Sequence, residues 1–144
     1  MNTVSQAGID LIKGFEGFRA DAYLDTGDVW TIGFGHTLNV CMGDSCTEAQ
    51  AEKWLQNDLQ DAIADVNRLV TVPLNQNQFD ACTSFFYNLG AHQLEHSNTL
   101  KTLNAGNYQK FADDMLLWVW DNGRKIAGLA SRRTAERALF LKST

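Results

Sequence analysis

Two carboxylates and a hydroxyl lie close together near the N-terminus of this chain. Glu16 ends an apolar, helix-like stretch, Asp25 stands in a glycine turn, and Thr31 begins the run TIGFGHT. Cleavage of a glycosidic bond needs one acid that protonates the leaving oxygen and a second carboxylate that activates water or attacks the sugar carbon. Glu16 is the candidate acid, because Phe15 and Phe18 flank it and apolar surroundings favour a protonated carboxyl. Asp25 is expected to stay ionised, with Thr31 holding a water against it.

Each of these residues also has an ordinary structural interpretation. A glutamate at a helix end is commonly a surface charge, an aspartate before Thr-Gly forms turns, and threonine suits strands. No Ser-His-Asp, phosphate-loop or metal-ligand spacing competes with the carboxylate pair. His92 and His96 are four residues apart without an evident third ligand, so we expect no metal site and no cofactor. His36 is expected to be a structural hydrogen-bonding partner.

The apolar pattern predicts the elements that position the three groups. A short helix is predicted over 3–16, with Thr3 and Gln6 as a capping box. Period-two patterning then predicts a hairpin around the turn TGD. Because side chains alternate along a strand, Asp25 and Thr31 are predicted to project to one face of this hairpin.

Helices are predicted for most of the remaining chain. A long amphipathic helix is predicted over 47–70. Thr47 with Gln50, and Asn75 with Gln78, have the spacing of capping boxes at the starts of two helices. Shorter helices are predicted over 98–105, 107–120 and 131–142.

The order of these elements predicts an α+β fold in one domain over 1–144. We expect a β-rich lobe over about 17–46 and a bridging helix over about 47–70. The helical lobe is expected to comprise about 71–144 together with the N-terminal helix.

Charge is distributed unevenly along the chain, whose formal net charge is -5. Residues 1–123 carry 6 basic and 16 acidic side chains, whereas residues 124–144 carry 6 basic and one acidic. The basic end fits contact with an outer membrane or another anionic envelope, and it equally fits a solvated helix face. The acidic bulk argues against nucleic-acid binding. An amphipathic end is predicted from Arg132, Arg133, Arg137 and Lys142 beside Leu139, Phe140 and Leu141.

The cysteines and the absence of a targeting signal predict synthesis in the cytoplasm. Cys41 and Cys46 flank a short loop and would pair in an oxidising compartment, but free thiols are the expectation in the cytosol. Cys82 is expected in the core. The N-terminus lacks signal-peptide features, and the apolar run at 115–120 is too short to cross a bilayer.

The stretch GIDLIKGFEGFRADAYLDTGDVWTIGFGHT resembles the catalytic signature of phage-type, T4-like lysozymes, the endolysins of glycoside hydrolase family 24. The signature is a glutamate, eight residues, an aspartate, five residues and a threonine, which Glu16, Asp25 and Thr31 match. The blocks TEAQAE, PLNQNQFDA, FFYNLG, SNTL, LNAGNY and AGLASRRTAERALFL also follow in the order of that family. The resemblance therefore covers nearly the whole chain.

This resemblance implies hydrolysis of the β-1,4 bond between N-acetylmuramic acid and N-acetylglucosamine in peptidoglycan, leading to lysis of the host cell. Glu16 would be the general acid, and Asp25 with Thr31 would position water, with inversion at the anomeric carbon. The glycan contacts expected by analogy or by proximity are Phe34, Thr37, Tyr87, Asn88, Thr99 and Arg133. Helix packing and capping are equal alternatives for Tyr87 and Thr99, and Trp118, Trp120 and Leu116 are expected in the core.

Two alternative functions remain open from the sequence. A lytic transglycosylase acting on the same bond would need only Glu16 and would form an anhydro sugar without water. A membrane-active or wall-binding protein would instead act through the basic C-terminal helix. For the endolysin, we expect a monomer that stays in the host cytoplasm until a holin releases it to the periplasm and cell wall; this route implies no direct binding to the holin.

Overall fold

The computed structural model describes residues 2–144, and it confirms the predicted α+β fold. Over these residues the chain forms seven helices and two small antiparallel hairpins. The helices are α1 (Gln6–Glu16), α2 (Glu48–Leu69), α3 (Gln76–Leu89), α4 (Ala91–Leu94), α5 (Asn98–Asn104), α6 (Tyr108–Met115) and α7 (Ala127–Leu141). The strands are β1 (Arg19–Leu24), β2 (Trp30–Gly33), β3 (Trp120–Asp121) and β4 (Arg124–Lys125).

The chain divides into two compact units. The N-terminal unit comprises residues 9–60, and the C-terminal unit comprises residues 61–144 together with the segment that precedes residue 9. Most of α1 therefore groups with the first hairpin, although the sequence assigned this helix to the helical lobe. Helix α2 contributes residues to both units. The predicted lobe boundaries stay predictions.

Reciprocal side-chain caps fix the starts of α2 and α3, and both were predicted. Gln50 N–H donates to Thr47 Oγ1 at 3.1 Å, and Thr47 N–H donates to the Gln50 side chain at 2.9 Å. The reciprocal pair is also formed by the predicted residues before α3, where Asn75 and Gln78 cap each other. Both capping boxes are thus confirmed, because each depends on residues only three apart.

The predicted start of α1 is wrong. The helix begins at Gln6 rather than near Thr3, and Gly8 N–H donates to Ser5 Oγ at 3.4 Å. The backbone N–H of Ser5 also donates to the buried Asp80 of α3 at 2.8 Å. This tertiary hydrogen bond holds Ser5 at the helix start, and the local sequence pattern carries no sign of it.

Strands β1 and β2 form the predicted hairpin of the N-terminal unit. Tyr23 lies opposite Thr31 and Leu24 lies opposite Trp30, with an irregularity between Arg19 and Tyr23. Asp25 N–H then donates to the Val29 carbonyl at 3.0 Å, which continues the ladder past the end of β1. By alternation from this register, Asp25 and Thr31 belong to the same face of the hairpin.

The C-terminal unit has an aromatic core. Phe85 meets Phe111 edge-on at 6.0 Å between ring centroids and meets Trp118 at 6.2 Å. Phe111 also packs against Phe140 at 5.1 Å. Edge-to-face contacts at these distances stabilise a core beyond the area that they bury.

The predicted helix over 107–120 is wrong in its second half. Helix α6 ends at Met115, and a second hairpin of β3 and β4 follows. Its turn is Asn122-Gly123, whose φ angles are 49° and 76°. Two consecutive residues with positive φ form the tight turn that joins short antiparallel strands, and Asn-Gly is its strongest sequence signal. The sequence predicted a helix over the first part of this segment and no hairpin.

The predicted basic face at the C-terminus is wrong for two of its four cations. Arg132 and Arg133 are buried, and both donate hydrogen bonds to the buried carboxylate of Glu136. Arg137 donates to Asp113 at 2.8 Å. Lys142 remains exposed, so envelope contact by residues 124–144 stays a prediction with fewer charges to support it. None of the helices over residues 2–144 combines the length and apolarity that a membrane-spanning segment needs.

The three cysteines are free thiols. Cys41 is exposed, Cys46 is half-buried and Cys82 is buried, as expected for a core position. Burial raises the pKa of the Cys46 thiol, and the nearby charge of Asp21 raises it further. Burial also raises the pKa of the Cys82 thiol strongly, with the charge of Glu136 adding to the effect.

Candidate active site

Glu16 is placed by the end of α1 and by a glycine that lies against its carboxylate. It is the last residue of the helix, and Gly17 follows with φ of 70° and donates its N–H to the Lys13 carbonyl at 3.0 Å. The Glu16 side chain is half-buried, and Phe15 and Phe18 are 36% and 38% exposed, so neither ring is enclosed as the sequence suggested. A Cβ atom built on Gly35 would stand 2.8 Å from Glu16 Oε1. The space for this carboxylate therefore exists because residue 35 has no side chain.

We expect Gly35→Ala to lower the hydrolytic activity that the resemblance implies by more than its loss of stability explains. Gly35 has φ of 79°, so alanine there adds backbone strain of about 1–2 kcal/mol and also displaces the Glu16 carboxylate. Displacement of a reacting group by about 1 Å can cost about 100-fold in rate. Gly43→Ala is the matched control, because Gly43 has φ of 88° and its added Cβ would meet nothing within 4 Å. Thermal melts and turnover of purified wall are measured for both variants. If Gly35→Ala and Gly43→Ala have equal activity and equal stability, the Gly35 contact does not position Glu16.

Asp25 is held rigidly in the turn between β1 and β2. Its Oδ1 accepts hydrogen bonds from Gly27 N–H at 2.8 Å and from Val29 N–H at 2.9 Å. Its carbonyl accepts from Asp28 N–H at 3.1 Å, and Asp28 has φ of 59°. The side chain thus completes the last rung of the hairpin ladder. Two backbone donors to one oxygen hold the carboxylate in a fixed orientation.

Thr31 is a buried hydroxyl on β2. It is 4% exposed, and its Oγ1 donates to the Val29 carbonyl at 3.0 Å. Because that bond uses the hydroxyl proton, the oxygen presents lone pairs to any further partner. Glu16, Asp25 and Thr31 all belong to the N-terminal unit, so one unit carries the whole predicted catalytic set.

His36 supports the loop that contains Gly35. Its Nδ1 lies 2.8 Å from Asp58 Oδ2, and its ring stacks on Trp54 at 4.8 Å between centroids. The His36 backbone also exchanges two hydrogen bonds with Ile32, each of 2.9 Å. The predicted structural role of His36 is confirmed. The sequence prediction missed Asp58 and Gly35, and the only sequence signal for the glycine was its place in TIGFGHT.

The predicted glycan contacts of the N-terminal unit differ in accessibility. Phe34 is 4% exposed, with its ring 5.5 Å from that of Phe18 and with Lys13 Nζ 5.1 Å from its centre. Thr37 is exposed in the loop after His36. Both residues stay predictions, and burial favours an indirect role for Phe34.

Three of the four predicted glycan contacts of the C-terminal unit, Asn88, Thr99 and Arg133, belong to one hydrogen-bonded chain. Arg133 is fully buried and donates to the Asn88 side-chain oxygen, to the Trp118 carbonyl at 2.9 Å and to Glu136. Trp118 Nε1–H in turn donates to Thr99 Oγ1 at 3.0 Å. Burial lowers the pKa of Arg133, whereas Glu136 acts to raise it.

The predicted glycan contacts of the C-terminal unit also differ in exposure. Thr99 is 6% exposed, whereas Asn88 is exposed and Tyr87 is half-buried. A glycan role for Tyr87, Asn88, Thr99 and Arg133 stays a prediction. Full burial means that Arg133 acts through its neighbours rather than as a surface cation.

Known proteins are similar to this chain in both sequence and fold. A family model described as phage lysozyme matches residues 13–136. The chain is 46% identical to an endolysin of Bacillus phage B103 over 143 residues, which are 96% of this chain and 54% of that protein. It therefore spans about half the length of that relative. It is also 41% identical to the endolysin of Salmonella phage P22 over 146 aligned positions, covering 98% of this chain and 99% of that protein.

A solved structure has the same fold as this chain. The muramidase domain of SpmX from Asticaccaulis excentricus matches with a TM-score of 0.94 at 38% identity, over 99% of this chain and 100% of that domain. The family model covers most of the chain, and the similarity to P22 endolysin extends over the full length of both proteins. The chain belongs to the phage lysozyme family of enzymes.

Proposed function

We propose that this protein is an endolysin that hydrolyses the β-1,4 bond between N-acetylmuramic acid and N-acetylglucosamine in bacterial peptidoglycan. The observation that carries the proposal is the fixed Asp25 carboxylate, which shares a hairpin face with Thr31 in the unit that also carries Glu16. Membership of the phage lysozyme family and the muramidase relative support the same substrate.

Glu16 acts as the general acid in this proposal. Its proton goes to the glycosidic oxygen as the bond to the anomeric carbon breaks, which makes the departing sugar a neutral alcohol. Gly35 leaves the room for this carboxyl, and the His36 contacts with Asp58 and Trp54 hold the loop that bears Gly35.

Asp25 and Thr31 act together on the attacking water. Asp25 Oδ1 is occupied by two backbone N–H groups, so Oδ2 is the oxygen that accepts one water proton. Thr31 Oγ1 donates to the Val29 carbonyl and accepts a hydrogen bond from the other O–H of the water, whose proton stays on the oxygen while Asp25 Oδ2 takes the first proton as the new C–O bond forms. A water held by both protons directs a lone pair at the anomeric carbon. Attack from the face opposite the leaving group inverts the configuration, which suits carboxyl groups about 6.5–9.5 Å apart.

Product analysis tests this mechanism on purified peptidoglycan. Mass spectrometry should find reducing muramic acid ends, and NMR of the first products should find inverted anomers. An anhydro sugar product would identify a lytic transglycosylase and would contradict the water-positioning roles of Asp25 and Thr31. A retained configuration would reassign Asp25 as a nucleophile.

We expect Asp25→Asn to lower kcat on purified wall by about 100-fold or more, because acid–base groups of this kind contribute about 10²–10⁴ in rate. Asparagine keeps the oxygen that accepts from Gly27 and Val29, so the turn is expected to survive. Asp28→Asn is the matched control in the same turn, since asparagine tolerates its φ of 59°. A loss of activity shared equally by both variants would point to turn damage rather than to chemistry.

The cell wall is the proposed place of action. The predicted route is retention in the host cytoplasm followed by release through a holin, with the enzyme acting as a monomer. Expression with and without a pore-forming protein, followed by wall turnover in intact cells, tests this route. Lysis at the same time in both cultures would count against it.

A further inference from the structure

An exposed indole lies beside two cavities of the C-terminal unit. Trp120 was expected in the core, yet it is 63% exposed on the two-residue strand β3. Cavities of about 430 and 480 Å³ share Trp120 and Gln93 among their lining residues. Large exposed aromatic side chains beside concave surfaces of this size are typical of binding sites. We call the 430 Å³ space the Trp120 cavity; it is lined by Asn88, Leu89, Gln93, Trp120, Asp121, Asn122 and Leu129.

The orientation of one amide in the Trp120 cavity is fixed from behind. Arg133 Nη2 donates to Asn88 Oδ1, and the same guanidinium donates to the Trp118 carbonyl at 2.9 Å and to Glu136. Arginine has only hydrogen-bond donors, so the oxygen of Asn88, and not its NH₂ group, must face the buried guanidinium. Because Asn88 Oδ1 faces Arg133, the NH₂ group of Asn88 remains for a ligand in the cavity. A ligand that uses it must bring an acceptor, such as a carbonyl oxygen.

The charge of the Trp120 cavity indicates what kind of ligand fits. Among its lining residues, amides come from Asn88, Gln93 and Asn122, and the one acidic side chain is that of Asp121. The exposed cations of β4, Arg124 and Lys125, pair in register with Asp121 and Trp120 but do not line the space. An acidic, amide-rich lining disfavours phosphates and free carboxylates and favours a neutral ligand with many hydroxyl groups.

We propose that the Trp120 cavity binds an N-acetylated pyranose of the glycan strand. The indole packs against the C–H face of the sugar ring, Asn88 Nδ2 donates to the acetamido carbonyl, and Asp121 accepts from a ring hydroxyl. An aromatic ring with an apolar face and a polar edge suits this amphipathic ligand. The inference rests on the proposed function and extends it, because it assigns part of substrate recognition to the second hairpin of the C-terminal unit.

Calorimetric titration with an N-acetylglucosamine tetramer tests the proposal, using Glu16→Gln protein so that the probe is not cleaved. Trp120→Ala should weaken binding by about 10-fold, which corresponds to about 1.4 kcal/mol, and Trp120→Phe should recover part of the loss. Asn88→Ala should remove the preference for this tetramer over a glucose tetramer, which lacks the acetamido group. Met42→Ala, which truncates a 76% exposed side chain of the N-terminal unit, should bind as the parent does.

Kinetics of the active protein separate this inference from the proposed function. Trp120→Ala should raise KM for purified wall with kcat nearly unchanged, as expected for lost binding that is uniform in ground and transition states. If the parent hydrolyses wall but Trp120→Ala binds the tetramer as tightly as the parent, the saccharide site is refuted and the proposed function stands. Trp120-dependent binding of a free stem peptide in place of the tetramer also overturns it. Tetramer binding that depends on Trp120 in a parent without wall hydrolysis would refute the proposed function alone.

Discussion

Glu16→Gln is expected to lower wall hydrolysis by about 10²–10⁴-fold, the contribution typical of a general acid. Glutamine has nearly the same shape as glutamate, so it fits the space that Gly35 leaves at the end of α1. It lacks the proton that the leaving sugar oxygen must receive, and without that proton the departing group is an unstable alkoxide. The change should therefore appear in kcat, with binding of wall fragments largely kept.

The control for this variant is Glu48→Gln, which removes an exposed carboxylate from the first turn of α2. Turnover of purified peptidoglycan is followed by release of soluble muropeptides, and folding is checked by thermal melts. A Glu16→Gln protein that clears wall at the parent rate would remove the basis of the enzymatic mechanism. If the Glu16→Gln protein fails to cleave wall yet still kills cells, a second activity exists. The membrane-active function that the sequence left open would account for it.

The elements that carry the proposed catalytic set could be predicted because each is local in sequence. The spacing of Glu16, Asp25 and Thr31 reflects one helix end and one hairpin, and both elements were predicted from apolar periodicity. The capping boxes of α2 and α3 were predicted for the same reason, since each joins residues three apart. Their hydrogen bonds form wherever the helix forms, whatever packs against it.

Features that depend on distant residues could not be predicted in this way. Asp80 holds Ser5 at the start of α1 from 75 residues away, and Asp58 meets His36 from 22 residues away. Trp120 belongs to an apolar run that reads as core, but the second hairpin leaves it exposed. The Asn122-Gly123 pair is the local signal for this hairpin, and the sequence prediction missed it.

The burial of two arginines in α7 also could not be predicted from local sequence, and it has a larger effect on stability. By charge alone, Arg132 and Arg133 look like parts of a solvated basic end. Their burial depends on Glu136, which lies within one helical turn of both, and on Ser84 of α3. The i,i+3 and i,i+4 spacings were visible in the sequence, but ion pairs at these spacings also form on exposed helix faces. Only the packing of α7 against α3 distinguishes the two cases.

Glu136→Gln is expected to lower the free energy of unfolding by about 3–5 kcal/mol, because removing one partner of a buried ion cluster leaves uncompensated charge. Glu136 Oε2 accepts from Ser84 Oγ at 2.5 Å and from Arg132 Nε at 3.3 Å, while Oε1 accepts from Arg133. Glutamine keeps the shape of the side chain but leaves two buried guanidinium groups without an anion. The melting midpoint should fall by about 10 °C.

The exposed pair of α6 and α7 supplies the matched comparison, since Asp113 accepts from Arg137 at 2.8 Å at the protein surface. Asp113→Asn should lower the midpoint of urea denaturation far less than Glu136→Gln does, because exposed ion pairs are screened by solvent. Loss of Glu136 should also release the orientation of Asn88, whose oxygen accepts from the same Arg133. Selectivity for the N-acetylated tetramer should then weaken in Glu136→Gln protein that is still folded at low temperature. Midpoints for Glu136→Gln and Asp113→Asn that fall together would mean that the buried cluster contributes no more than a surface ion pair.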